Sequence, residues 1–301
     1  MVPDPPRQRV VRKPMNVNES ADPIPMHLQH ASTLSGKGDR PEQFRVRLAG
    51  IAVDADDRLY AVGDRAVKLF SPEGKVVVWP PTRDAGWSVA IDGESIWIGM
   101  QGAIDRFDRA GNLVDSIEDR DRLGLITGLA ASDRTLVAAD ATHRTIHIYR
   151  DGVWQCEAGR EANTRGFMIP NGVLDLALEP QRDSFLVAHP QKHRVERYSL
   201  DGELIDKFGR FGMEDPADFG GCCNPTNITA TPDGLIVVSE KAPPRLKVFT
   251  SDGTLVTQLE NTVFDANTKN IDLAADRRGR LYATDPLRCA IEVFDLVASD
   301  G

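Results

Sequence analysis

The chain has 301 residues, and its 41% hydrophobic content supports a packed core and excludes an intrinsically disordered protein. A formal net charge of −9 argues against nucleic acid as a general partner, and no run of 18 apolar residues is present to span a membrane. Four cysteines without CxxC spacing exclude a disulfide-stapled small domain and the usual structural zinc site.

The first 25 residues contain six prolines and almost no hydrophobic periodicity. This composition predicts a flexible Pro-rich arm or linker over residues 1–25, followed by one folded domain over residues 26–301. A tether to a membrane anchor or to a neighbouring domain is the functional alternative for the arm. The N-terminus lacks the apolar core of a signal peptide, so the compartment is left open.

A repeat begins near residue 48. Six short apolar runs align on an alanine, with steps of 38, 40, 47, 53 and 44 residues between them. The aligned residues are Ala52, Ala90, Ala130, Ala177, Ala230 and Ala274. Each run is followed by a turn, a second apolar run, and a third run that closes on an aromatic residue. The closing aromatics are Phe70, Phe107, Tyr149, Tyr198, Phe249 and Phe294.

A glycine turn and a fourth run follow the aromatic in five of the repeats. Six antiparallel four-stranded sheets with a period of about 40 residues predict an all-β fold, a six-bladed β-propeller. The sixth repeat has only three runs before the chain stops at Gly301. We therefore predict that residues 26–35 (MHLQHASTLS) supply its fourth strand, pair with the strand ending at Phe294 and close the ring.

The segment HPQKHRVERYSLDGELIDKFG, residues 189–209, contains a His193-Arg194 pair, the closing Tyr198 and an Asp201-Gly202 turn. In these features it resembles the NHL-repeat propellers, and the resemblance covers about residues 27 to 296. It implies the propeller architecture and leaves the activity open, because that family includes binding modules, scaffolds, lyases and relatives of lactonases. No first strand carries a histidine, which argues against the lyase branch, whose metal is bound by channel histidines.

Two kinds of connection should share one face of the disc, those between strands two and three of a blade and those leading to the next blade. The longest are AGREANTRGFMIPNG, after repeat 3, and the stretch Phe208–Asn227, after repeat 4. Long loops on a rigid scaffold often carry function, so we expect the site on this loop face over blades 3 to 6. The predicted ligand-binding residues are His189, Lys192, His193, Cys222, Cys223, Asn224, Arg245, Arg288 and Cys289.

The adjacent Cys222 and Cys223 leave three interpretations open. They are free thiols packed as small hydrophobic groups, a strained vicinal disulfide, or metal ligands completed by Cys289 or a histidine. A disulfide would favour an extracytoplasmic setting slightly over a cytoplasmic one.

The channel wall holds a second candidate site. Asp175 and Asp272 fall at the same position of first strands, with Asn227 close to that position. Carboxylate and amide oxygens suit a hard divalent cation, as in the lactonase-like relatives, and the alternative is that these groups only hydrate the channel.

These observations favour a binding module whose loop face takes a protein or a small-molecule ligand around Cys222-Cys223. The alternative is a metal-dependent enzyme or a redox accessory protein that uses this face or the central channel. A divalent metal ion is the cofactor that the residues could accommodate. Basic residues on the loop face admit RNA, but the net charge and the lack of stacking aromatics argue against it.

Overall fold

The computed structural model describes residues 26–179, 181–259 and 263–298. The predicted arm, residues 1–25, lies outside these ranges. The first twelve strands are β1 Met26–Ser35, β2 Gly50–Val53, β3 Leu59–Gly63, β4 Ala66–Phe70, β5 Val76–Val78, β6 Ser88–Asp92, β7 Ser95–Met100, β8 Ala103–Phe107, β9 Leu113–Glu118, β10 Ile126–Ser132, β11 Thr135–Asp140 and β12 Thr145–Arg150.

The remaining strands are β13 Val153–Ala158, β14 Asp175–Leu178, β15 Ser184–His189, β16 Arg194–Ser199, β17 Leu204–Phe208, β18 Asn227–Ala230, β19 Ile236–Lys241, β20 Pro244–Phe249, β21 Leu255–Leu259, β22 Leu273–Ala275, β23 Arg280–Asp285 and β24 Ala290–Ala298. A single turn of 3₁₀ helix, Pro190–Lys192, links β15 to β16. Within the described ranges, no helix has the length and apolarity needed to cross a bilayer.

The strands form six four-stranded antiparallel sheets, which are the blades of a β-propeller. Blades 1 to 5 take their strands in chain order: β2–β5, β6–β9, β10–β13, β14–β17 and β18–β21. Each aligned alanine lies on a first strand and each closing aromatic on a third strand, as the repeat predicted. All six aromatics are buried, because each third strand lies between neighbouring blades.

Blade 6 is completed from the other end of the chain. Its order is β22-β23-β24-β1, and β1 pairs antiparallel with β24 from Met26↔Ala298 to Ser35↔Ala290. Leu28 of β1 packs into the same cluster as Phe264 and Phe294. The pairing is the one that the missing fourth run of repeat 6 predicted.

The core lies between blades. In one cluster, Val137 and Ile148 of blade 3 pack with Phe185 and Tyr198 of blade 4. Short polar side chains at the starts of first strands connect neighbouring blades: the Thr127 hydroxyl donates to the carbonyl of Leu174 at 2.8 Å and accepts from its backbone N–H at 3.0 Å. Apolar packing between the sheets therefore holds the disc together, and hydrogen bonds between neighbouring blades stabilise the channel wall.

The turns between second and third strands repeat one backbone feature. Arg144, His193 and Cys289 occupy equivalent positions in blades 3, 4 and 6, and their φ angles are 59°, 53° and 53°. This left-handed conformation is uncommon for residues other than glycine. The turns thus share a geometry as well as a register, with Arg144 exposed, His193 half-buried and Cys289 buried.

Candidate functional site: the cysteine loop and its surroundings

The loop face is built around residues 209–226, which connect β17 to β18 and are named here the cysteine loop. The other long connection reaches this region through Asn171, whose amide oxygen accepts a hydrogen bond from Lys241 Nζ. From the turn of blade 4, the amide oxygen of Gln191 lies 3.4 Å from the Cys223 sulfur. Two long loops and two blades therefore meet at the cysteine pair.

The first half of the cysteine loop is folded on itself. Phe211 and Phe219 form a β-bridge, and Phe219 N–H donates to the Arg210 carbonyl at 2.9 Å. Arg210 Nε also binds Asp218 Oδ1 at 2.8 Å. Phe219 is completely buried and packs on Phe249 of blade 5. These contacts give the loop a defined path despite its lack of regular secondary structure.

The second half is attached to blade 5 by a buried asparagine. The Asn224 amide nitrogen donates to the Gly220 carbonyl at 2.7 Å, and its amide oxygen accepts from Lys241 N–H at 2.9 Å. Gly221 has φ +69°, and a Cβ there would lie 2.4 Å from the Ala242 carbonyl oxygen. The amide group of Asn224, predicted as a ligand-binding residue, thus forms hydrogen bonds that hold the loop.

The two cysteines differ in their environments. Both are free thiols in this structure, with sulfur atoms 2.6 Å apart; Cys222 is exposed and Cys223 is buried. Burial, together with the hydrogen bond to Cys222, raises the pKa of Cys223 to about 11. Cys223 is therefore protonated near neutral pH, and Cys222 is the sulfur that solvent and partners can reach.

The histidines of blade 4 serve different purposes. His189 is fully buried; its Nε2 accepts from Met168 N–H at 3.0 Å, so its Nδ1 carries the proton and donates to Glu196 Oε1 at 2.9 Å. It offers no ring nitrogen to a ligand. His193 is half-buried, has an unpartnered buried Nδ1, and lies edge-to-face on Phe211 at 4.9 Å between ring centroids. Lys192 is exposed.

The remaining predicted residues of the loop face are bound to their own blades. Arg245 is paired with Glu240, and Arg288 Nε binds Asp285 Oδ2 at 2.7 Å. Cys289 is buried in the cluster that joins blades 6 and 1. Within the described residues, neither Cys222 nor Cys223 belongs to a group of three metal-ligating side chains, and Cys289 does not join them. This arrangement does not support the metal interpretation of the cysteine pair.

The three residues predicted to form a site on the channel wall, Asp175, Asn227 and Asp272, lie together. Asp175 Oδ2 accepts from Ile228 N–H at 2.9 Å, Asp272 Oδ2 accepts from Ile51 N–H at 2.7 Å, and the Asn227 amide nitrogen is 3.4 Å from Asp272 Oδ1. Burial raises the pKa of both carboxyl groups, that of Asp272 to about 7, and the charge of Asp272 raises that of Asp175 further. These three residues are named here the channel neck. Below the neck, the first strands enclose a cavity of about 820 Å³.

Sequence reasoning did not single out two residues of the cysteine loop. Phe211 and Met213 are 60% and 74% exposed, although both are large apolar side chains. The sequence signal available was an aromatic and a methionine within a Gly-Pro-rich connection, outside any strand pattern. Their exposure depends on the fold of the loop, which the repeat does not describe.

Solved structures that resemble this chain are β-propellers. A gluconolactonase from Xanthomonas campestris matches with a TM-score of 0.63 and 17% identity over 93% of this chain and 99% of that chain. The selenomethionine-substituted virginiamycin B lyase from Staphylococcus aureus gives 0.58 and 14% over 90% and 100%. The WD40 propeller domain of Doa1 gives 0.61 and 14% over 89% and 97%.

Identities this low show the fold alone, and the matched propellers include both enzymes and a WD40 domain. No protein-family profile matches the chain, and no curated protein matches its sequence. The resemblance to NHL repeats stays a prediction.

Proposed function

We propose that this propeller is a protein-binding module and that its partner docks on the apolar knob of the cysteine loop, Phe211, Met213 and Cys222. The observation that carries the proposal is that this knob projects from a loop held by buried contacts. Phe219 is fully buried beneath it, and Lys247 binds the carbonyl of Asp218 from inside blade 5. An apolar surface fixed in advance loses little conformational entropy on binding.

The shape of the knob favours a protein over a small molecule. Small-molecule sites are concave, whereas Phe211 and Met213 point outward with more than half of their surface exposed. Aromatic and methionine side chains are enriched at protein interfaces, and methionine adapts to irregular pockets. Arg210 precedes Phe211, and Lys192 precedes His193, whose ring lies on Phe211. Lys192 and Arg210 are both exposed, so they supply a polar rim. The partner expected is therefore a protein with an apolar pocket that accepts the Phe211 ring.

Site-specific cross-linking in cells tests this proposal. A benzophenone amino acid replaces Met213 in one variant and Val114 in another; Val114 is also exposed, at 56%, but lies on the outer strand β9. We expect one dominant protein adduct at position 213 that is absent at position 114. The purified partner should then bind the wild-type chain at least about tenfold more tightly than Phe211→Ser, because buried aromatic anchors contribute about 2 kcal/mol or more.

The matched control is Leu113→Ser, which removes an equally exposed apolar side chain away from the loop face. It should leave the affinity unchanged. Identical adducts at positions 213 and 114, or equal affinities for Phe211→Ser and wild type, would rule out the knob as the docking site.

A divalent cation at the channel neck is a second candidate, favoured by one observation. The amide oxygen of Asn227 is buried and has no hydrogen-bond partner, and it belongs to the residue that contacts Asp272. Asp175 and Asp272 repel each other as anions, and a hard cation would relieve that repulsion and accept all three oxygens. Such an ion would face the 820 Å³ cavity and could polarise a ligand bound there.

Calorimetric titration with Ca²⁺ and with Mg²⁺ tests the second candidate. We expect one ion per chain, and we expect Asp272→Asn to abolish binding while Asp133→Asn, at the other end of the cavity, leaves it intact. Heats that are the same for wild type and Asp272→Asn would exclude a cation at the neck.

A further inference from the structure

Blades 3 to 6 share a buried polar pair. The last or penultimate residue of the second strand is the diagonal neighbour of a residue seven positions later on the third strand, and both members are at most 1% exposed. The pairs are Asp140/His147, His189/Glu196, Glu240/Lys247 and Asp285/Glu292. Burial of such groups costs free energy unless each finds a partner, so these pairs need a compensating group.

In blades 4, 5 and 6 that group is an arginine. Arg194 binds Glu196, Arg245 binds Glu240, and Arg288 bridges the two carboxylates of blade 6. In blade 3 the position equivalent to Arg194 and Arg245 is Thr145, whose hydroxyl donates to the Ala158 carbonyl at 2.8 Å. Blade 3 thus lacks the guanidinium that completes its neighbours.

Two imidazoles take its place. Asp140 Oδ2 lies 2.8 Å from His143 Nδ1 and 3.4 Å from His147 Nε2. One ligand atom from each of the three residues lies within 4.8 Å of the others. Bonds of about 2.0–2.1 Å in a tetrahedral zinc site place ligand atoms about 3.4 Å apart, so the observed separations need only small side-chain rotations. His143 can rotate freely enough, because its side chain is 40% exposed.

Asp140 is held in a fixed orientation by the backbone. Its Oδ1 accepts from Thr142 and His143 N–H, both at 2.9 Å, and its Oδ2 accepts from Gly124 N–H at 2.7 Å. Hydrogen bonds of this kind orient a metal ligand before the metal arrives.

A cavity of about 380 Å³ opens beside the two imidazoles, where the arginine would otherwise lie. His147 lines it, is 1% exposed, and has a buried Nδ1 without a hydrogen-bond partner. Glu157, paired with His147 across the sheet, lines the same cavity, as do Arg122 and Arg160. A buried polar atom without a partner is rare and requires an explanation. An Asp–His pair that only fills the core leaves this atom without a partner.

We infer that Asp140, His143 and His147 form a binding site for a divalent transition-metal ion such as Zn²⁺ at the edge of blade 3. Two imidazoles and one carboxylate match the three-ligand set of open zinc sites. Glu157 lies opposite His147 across the sheet, and Arg160 binds both of its carboxylate oxygens. The adjoining cavity leaves room for water beside the ion. The site is independent of the cysteine loop and of the channel neck.

Zinc titration of the full chain tests the inference. The accessible thiols are first alkylated, so that no exposed sulfur can bind the ion. Calorimetry should then show one Zn²⁺ per chain, and Co²⁺ should give the visible absorption of a nitrogen- and oxygen-ligated ion. His143→Ala should weaken Zn²⁺ binding at least a hundredfold, and because His143 is exposed the variant should keep its melting temperature.

His147→Phe is the second variant; it replaces the buried ring with one of similar shape and should also abolish binding. His27→Ala, which changes an exposed histidine on β1, is the matched control and should bind like wild type. Absence of a Zn²⁺ heat from alkylated wild-type protein overturns the inference. So does an affinity that His143→Ala leaves unchanged.

Discussion

A buried lysine of blade 5 helps to hold the first half of the cysteine loop. Lys247 is 0% exposed; its ammonium donates to the Asp218 carbonyl, lies 3.4 Å from Glu240 Oε1 and is 5.3 Å from the centre of the Phe219 ring. Lys247→Met keeps most of the side-chain length and removes the charge and the donor. We predict that it destabilises the fold and releases the loop.

The magnitude follows from what the substitution leaves behind. Breaking a buried ion pair costs about 3–5 kcal/mol when the remaining charge is uncompensated. Here Arg245 still neutralises Glu240, so only part of that cost applies. The Asp218 carbonyl loses its donor, which costs about 1–3 kcal/mol if it stays buried. Burial lowers the pKa of Lys247, which means that the fold already destabilises the charged form of this side chain. We expect a net loss of about 2–3 kcal/mol.

Urea unfolding followed by tryptophan fluorescence measures this loss. Lys207→Met on the exposed strand β17 is the control and should change stability by less than about 0.5 kcal/mol. In Lys247→Met, the buried Cys223 should also react faster with a thiol reagent, because the loop that covers it is released. A variant as stable as wild type, with unchanged thiol reactivity, would refute the assigned role of Lys247.

Three further predictions concern the scaffold. Gly159→Ala should lower the free energy of unfolding by about 3 kcal/mol or more, because φ is +79° and the new Cβ would lie 1.9 Å from the Phe167 ring. Gly152→Ala is the control: φ is +76° but the space is open, so the loss should be only about 1 kcal/mol. Equal melting temperatures of the two variants would contradict this prediction. Glu196 is buried, but bonds from its imidazole, phenol and guanidinium partners lower its pKa to about 2. Its stabilisation, on the order of 2 kcal/mol, is therefore present above about pH 5 and lost as pH falls toward 2. Glu196→Gln should flatten the acid limb of a plot of melting temperature against pH, and parallel curves would exclude this role. Deletion of residues 1–35 removes β1 and exposes the edge of β24, so the shortened chain should aggregate or melt at least 10 °C lower, whereas deletion of residues 1–25 should not.

Much of the fold could be predicted because its signals are local. Alternating short strands, a glycine in each tight turn and an aromatic at the end of each third strand recur within about 40 residues. The missing strand of repeat 6 even indicated that residues 26–35 close the ring. The loop face could be predicted too, since the lengths of the connections are visible in the chain.

The candidate site was less accessible to sequence reasoning, because its contacts join distant residues. His189 looked available for a ligand, but Met168 and Glu196 occupy both ring nitrogens. His147 carried no predicted role, yet the seven-residue offset from Asp140 places it in a cluster of potential metal ligands. That offset is readable in the chain only after the paired strands are known.

The sequence by itself determined the blade repeat, the ring closure and the face that carries the long loops. These features follow from backbone preferences and hydrophobic periodicity, which act over a few residues. Only the tertiary structure decided which buried polar groups are hydrogen-bonded and which stay unpaired. Asp175 and Ile228 are 53 positions apart, and Lys241 lies 70 positions from Asn171. Burial makes every unpaired polar atom costly, so such long-range pairing decides which polar groups the fold satisfies.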